Sequence, residues 1–171
     1  MKLIVQRIAV FFIFMGLYSL SYYIGAVSEI GSEESSVFLE EFNDSIESMD
    51  ATGIFTNNII LALPMFIPGF GVVWGLFTGW STGHGFAAII AATPSLSNLS
   101  PLSILYSSSF GFMELVAYSI GTSRGYLIIW NIIKRKKLGI GLIPLSVEIA
   151  IVFVLIYVGA NLEFDLIKNF V

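Results

Sequence analysis

Apolar residues run through the chain in long stretches broken by short polar segments, and the lengths of those stretches predict its elements. An α-helix rises about 1.5 Å per residue, so about 20 apolar residues cross the hydrocarbon core of a bilayer. A first helix fits from about Ile8 to Val27. The stretch from Ile54 to Thr93 is too long for one crossing. Pro64, Pro68, Gly69 and Gly71 divide it into a short, proline-bent second helix at about 54–69 and a third at about 71–92. A polar turn, Pro94 to Ser100, precedes a fourth helix at about 101–125, whose pattern runs on toward Ile133, and a fifth fits at about 139–160. Residues 28–52 read differently: Leu39, Phe42, Ile46 and Met49 recur at spacings of three and four between acids. That pattern predicts an amphipathic helix capped by Ser35 or Ser36, lying against the chain's own helices or a partner, and a solvated acidic loop is the equal alternative.

Composition turns this pattern into a fold class. Residues of the AVILMFWYC set make up 56% of the chain and charged residues 12%, against roughly 25% in a soluble domain. Mean hydropathy is +0.88. The expectation is an all-α integral membrane protein with five transmembrane helices, a single membrane domain placed multi-pass in the cell membrane. The net charge of −4 hides a separation of signs. Eight acids and no base lie between Ser28 and Thr52, whereas Lys2, Arg7 and the run Lys134-Arg135-Lys136-Lys137 are basic. Positive residues near span ends stay cytoplasmic, so the N-terminus is expected inside, the acidic loop outside and the C-terminus outside. The first helix follows Lys2 and Arg7 as a secretory signal would, but its apolar run is long and lacks an A-x-A site, so it reads as a retained span. The sequons at Asn43 and Asn98 fall in the loops expected outside.

Helix packing has its own signature. Gly71, Gly75, Gly79, Gly83, Ala87 and Ala91 recur at every fourth residue, a stripe without bulky side chains that lets a second helix approach closely. Gly121 and Gly125 offer a facing surface on the fourth helix.

Ionisable groups inside apolar helices mark functional sites or structural pairs. His84, Glu114, Arg124 and Glu148 are the four, with Asn57 and Asn58 as amide neighbours. Counting residues from the basic run puts Arg124 roughly 15 Å in, level with Glu148, so these two are expected to pair. Glu114 falls about 30 Å from that run, near the height of His84, Asn57, Asn58 and Ser107 to Ser109, so His84 and Glu114 are expected to meet. Two readings compete: a proton or cation relay through Glu114, His84 and Glu148, and hydrogen-bonded pairs that fix helix register. One histidine and two separated glutamates do not make a continuous path, which favours the second. Without cysteine, and with two ligands at most, no metal site, cofactor or disulfide is expected.

Several short motifs resemble the stage II sporulation protein M family of small multi-span membrane proteins. Asn57-Asn58 is similar to the family's Asn near its second span, and Phe77-Thr-Gly-Trp-Ser-Thr-Gly83 to its F-N-G-x-x-x-G stretch. Ser109-Phe-Gly-Phe-Met-Glu114 resembles its P-H-G-x-x-E element, and Val147-Glu148 an I-E pair in its last span. Thr78 stands in place of the family's Asn, and Ser109 and Phe110 in place of Pro and His. The resemblance covers roughly residues 54–160 and implies a non-enzymatic membrane component of the scaffold class.

The chain carries no P-loop, no dinucleotide fingerprint and no nucleophile beside a base, so no enzyme is expected. The expected function is a membrane scaffold or accessory subunit that binds other membrane proteins and lipid, not nucleic acid, with homo-oligomerisation left open. The alternative is a small transporter or channel using the glutamates.

Overall fold

The computed structural model describes residues 2–135 and 142–170. Among these residues there are seven α-helices: α1 (Lys2–Ala26), α2 (Ser32–Ser48), α3 (Ala51–Ala62), α4 (Phe70–Ala92), α5 (Pro101–Ser107), α6 (Ser109–Ile133) and α7 (Leu142–Phe170). Single 3-10 turns at Leu63–Phe66 and Pro94–Leu96 join α3 to α4 and α4 to α5.

Local chemistry sets the boundaries. The Asp50 side chain accepts a hydrogen bond from the Gly53 amide at 2.8 Å and so starts α3. Pro64 lies in the first turn of the 3-10 segment, where its missing N–H costs nothing. Gly69 then takes a φ of 81°, a left-handed conformation that costs glycine least, and turns the chain into α4. Ser108 is extended, and its hydroxyl accepts from the Gly111 amide at 3.1 Å, so it ends α5 and caps α6. The fourth helix expected from Pro101 is therefore two helices. The others expected start or end elsewhere: α1 begins at Lys2, α3 stops at Ala62, and α7 runs to Phe170. The expected start of the fifth helix near Gly139, the bases Lys136 and Lys137, and the side chain of Ile46 lie outside the described residues.

Directions follow from contacts. Tyr18 and Tyr22 of α1 meet Gly79 and Gly83 of α4 in matching order, so α1 and α4 run parallel in the most extensive helix contact of the fold. α6 runs against α1, with Tyr18 beside Tyr118 and Phe14 beside Tyr126. It also runs against α7, with Arg124 on Glu148 and Met113 near Gly159. α3 runs with α6, Asn58 meeting Glu114 and Ala62 meeting Gly121. The core holds Tyr18, Tyr22, Met65, Leu115, Val152 and Ile156. Large apolar side chains also stand exposed outside it, among them Ile8, Phe12, Val73, Phe77, Ile143 and Val154.

The all-helical expectation matches the fold, but five transmembrane helices do not. Among the described residues, two helices are long and apolar enough to cross a membrane, Ile4–Ala26 of α1 and Ile143–Lys168 of α7. The apolar segment Ala51–Phe66 is shorter, and α3 itself, at 12 residues, rises only about 18 Å. The interior of α4 carries the polar string Thr78 to His84, and α6 carries Glu114, Arg124 and Asn131, which dilute their apolarity. The expected multi-pass placement with N-terminus inside and C-terminus outside rested on five crossings and goes with that count. Two apolar helices point to association with a membrane.

The amphipathic helix between residues 28 and 52 is present, with its start and face corrected. α2 begins at Ser32, three residues before the expected cap, and the Ser35 and Ser36 hydroxyls bond back to the Ser32 carbonyl at 3.0 and 2.8 Å. Buried Ser35 and half-buried Phe38 and Leu39 face inward, whereas Phe42 stands exposed. Its partner is α4, where Phe38 lies against Gly85.

Candidate functional site

The polar residues of the bundle gather in three places. At one end, three helices bring Arg7 (α1), Arg124 (α6) and Glu148 (α7) together. Arg7 Nε donates to Glu148 Oε1 at 2.7 Å, and Arg124 Nε donates to Oε2 at 2.6 Å. Arg124 Nη2 also binds Oε1. Arg7 Nη1 donates to Ser123 Oγ at 2.8 Å, and Nη2 to the Ile120 carbonyl at 3.4 Å. The three charged side chains are only 20%, 12% and 15% exposed. Equal-height counting brings Arg124 to Glu148. Arg7 is the member it misses, because a base near a helix start reads first as a topology signal. Five residues into a 25-residue helix, however, its long side chain already reaches α6 and α7.

The second cluster lies toward the other end of α6. Asn58 of α3, 8% exposed, donates through Nδ2 to Glu114 Oε1 at 2.5 Å and accepts from Asn57 Nδ2 at 3.3 Å. Tyr118, one turn further along α6, is 4% exposed. Glu114 is pushed up to about 8, chiefly because burial disfavours its charge. The Glu163 carboxylate pushes it up further, and the Asn58 amide pulls it back.

His84 does not reach Glu114, which corrects the expected meeting. Its ring stacks on Trp80 with centroids 5.0 Å apart, and Nδ1 lies 2.7 Å from Ser28 Oγ. Ser28 donates its own proton to the Gly25 carbonyl at 2.6 Å. It therefore accepts from Nδ1–H, leaving Nε2 as the basic nitrogen of the neutral ring. Nε2 faces Glu34 Oε1 of α2 at 3.7 Å. The two residues face different neighbours: His84 faces α1 and α2, and Glu114 faces α3. Among the described residues, no three His, Asp or Glu side chains converge as metal ligands would.

The small-residue stripe packs within the chain itself. A Cβ on Gly83 would overlap the Tyr22 carbonyl, and one on Gly71 the Met65 carbonyl. Gly75 receives Thr122, whose buried Oγ1 has no hydrogen-bond partner and lies against the glycine backbone. A Cβ on Gly79 would stand 3.2 Å from the Tyr18 carbonyl oxygen. Ala87 is buried, but Ala91 is exposed, so the stripe serves packing only as far as Ala87. Gly121 and Gly125 meet Met65, Phe66 and Ile67 at the 3-10 turn, not the α4 glycines.

Along α6, Glu114, Tyr118, Ser119, Thr122, Ser123 and Arg124 form one polar stripe between the first two clusters. Ser119 and Ser123 are fully buried and spend their hydroxyl protons on the Leu115 and Ser119 carbonyls of their own helix. Such groups are satisfied in place, and their chemistry is positional. No protein-family model, curated protein or solved structure matches the chain.

Proposed function

We propose that this protein is a non-catalytic membrane scaffold or accessory subunit, with lipid covering its apolar outer surface and partner proteins docking on its exposed faces. The observation that carries the reading is the surface itself. Ile4, Ile60, Val73, Ile133, Ile143 and Val154, on five different helices, are each more than 60% exposed. Apolar area of that extent, spread around a packed core, calls for lipid or protein contact. The polar groups support it from inside, because Arg7, Arg124 and Glu148, and Asn58 and Glu114, bond directly from helix to helix and tie α1, α3, α6 and α7 together. The resemblance to the stage II sporulation protein M family supports the same class, and two of the elements that carry it touch each other through Asn58 and Glu114.

Mild detergent extraction of the tagged full chain from membranes, followed by identification of crosslinked proteins, tests the reading. Recovery of a defined, stoichiometric membrane partner is expected. Recovery of the chain alone, together with ion flux in reconstituted vesicles, refutes it. That outcome would favour the second reading, a small transporter, for which the polar stripe of α6 is the one supporting feature.

A further inference from the structure

Two guanidinium groups converge on a single carboxylate at the end of the bundle where α1 and α7 begin and α6 ends. Arg7 and Arg124 share Glu148, leaving one positive charge uncompensated among side chains 12–20% exposed. A poorly solvated cation without a counter-charge is costly, so the cluster is an anion site by its electrostatics. Its surroundings reinforce this. The same end carries Lys134 and Arg135, and Lys136 and Lys137 follow directly in the chain. Lys134 Nζ stands 5.0 Å over the Trp130 ring, the pairing of base and amphipathic aromatic that suits a membrane interface. Exposed Ile4 and Ile8 on α1 and Ile143 and Val147 on α7 flank the cluster with apolar surface.

We propose that the Arg7–Arg124–Glu148 cluster binds the phosphate of an anionic membrane lipid, whose acyl chains run along the apolar flanks of α1 and α7. Guanidinium groups suit the ligand, since each presents several donors in a plane that matches phosphate oxygens. Depth agrees: Arg7 lies five residues from the start of α1, about 8 Å, close to the end of the helix and far from its middle. Charge distribution favours lipid over an acidic residue of a partner helix. Surplus positive charge is spread from Arg7 to Arg135 across the whole end, which matches a surface of many phosphates better than one carboxylate. The inference rests on the membrane reading above and extends it to a named lipid chemistry.

The test uses the full chain in mild-detergent micelles doped with equal amounts of phosphatidylglycerol and phosphatidylcholine, with lipid retained per protein read by mass spectrometry of the intact complex. The wild-type chain is expected to retain phosphatidylglycerol several-fold over phosphatidylcholine. Arg7→Gln leaves Arg124 and Glu148 as a neutral pair and is expected to cut that preference about fivefold, the value of one basic residue near an anionic surface. Arg7→Lys keeps the charge and is expected to retain most of the preference, which keeps the test decisive where the glutamine variant folds poorly. An Arg7→Gln preference equal to wild type, or a preference removed only by Lys134→Gln with Arg135→Gln, overturns the assignment. So does full displacement of the lipid by millimolar inorganic phosphate, which would make this a small-anion site. A partner protein crosslinked at Arg7 in place of lipid overturns it too, while leaving the scaffold reading intact.

Discussion

A graded series of glycine-to-alanine substitutions on α1 and α4 tests whether close helix approach holds this fold together. All three positions are helical, so each substitution gains about 1 kcal/mol of helix propensity, and the neighbours decide the sign. At Gly16 an added Cβ meets nothing within 4 Å, so Gly16→Ala is expected to be neutral to stabilising. At Gly79 the added carbon stands 3.2 Å from the Tyr18 carbonyl and 3.4 Å from its ring, a contact that a shift of a few tenths of an ångström relieves, so the terms nearly cancel. At Gly83 it overlaps the Tyr22 carbonyl and crowds the Ala26 amide nitrogen at 2.9 Å. Both obstacles are backbone, so α1 and α4 must separate along their whole shared face. Overpacking of this kind costs about 1–3 kcal/mol, here at the upper end, and subtracting the propensity gain leaves a loss of about 2 kcal/mol. For a chain of this size that is a fall in Tm of about 4–8 °C. Tryptophan-fluorescence melting in one detergent, with Trp80 close to the contact, reads the series directly. A Gly83→Ala variant as stable as Gly16→Ala would refute the claim that α1 and α4 touch backbone to backbone.

Three further outcomes follow from the polar clusters. Glu148→Gln strands two guanidiniums and is expected to cost about 3–5 kcal/mol, with part recovered in the Arg124→Gln/Glu148→Gln double variant; a double-mutant cycle of denaturation free energies checks the coupling. Glu114 titrates near 8 in the fold and near 4.5 when unfolded, so the folded state binds the extra proton and its stabilising contribution is lost as pH rises toward and through 8. Tm is expected to fall between pH 5 and pH 9 in the wild-type chain and to change less in Glu114→Gln; equal slopes would contradict the buried-carboxyl account. His84 Nε2 faces Glu34 of α2 at 3.7 Å, so His84→Ala is expected to speed amide exchange in the first turns of α2 a few-fold at fixed pH. Glu34→Gln is expected to move that exchange in the same direction, and unchanged exchange in both variants would show that this contact does not hold α2.

What was legible in the sequence was whatever depends on position along one axis. The break at Pro64 to Gly71, the start of α4 and the pairing of Arg124 with Glu148 are all one-dimensional facts, set by proline chemistry or by a fixed rise per residue. The partnership of Glu114 was half legible: Asn58 stood at its height, but nothing in the spacing favoured it over His84, since azimuth depends on how helices rotate about their axes. Ser108 escaped notice because its neighbours are helix-compatible and only its capping bond to Gly111 reveals the break. The count of spans failed differently. Dividing a long apolar stretch by a membrane thickness ignores the polar residues inside α4 and α6 and the 12-residue length of α3. On α2 the expected apolar face shares Leu39 with the one that packs on α4, but it lacks Phe38, which lies against Gly85, and includes Phe42, which stands exposed.

The parallel contact between α1 and α4 has a consequence for biogenesis. Tyr22 and the Gly83 it covers are about sixty residues apart, so during synthesis α1 emerges several seconds before its counterpart exists, at about 5–20 residues per second. Throughout that interval Tyr18, Tyr22 and Gly25 have no mate, and the nascent chain depends on the translocation machinery or a chaperone to shelter them. Slowing elongation between α2 and α4 should therefore lengthen the exposure and lower the yield of correctly assembled protein, a liability that a design with α1 packed on its sequence neighbour would not carry.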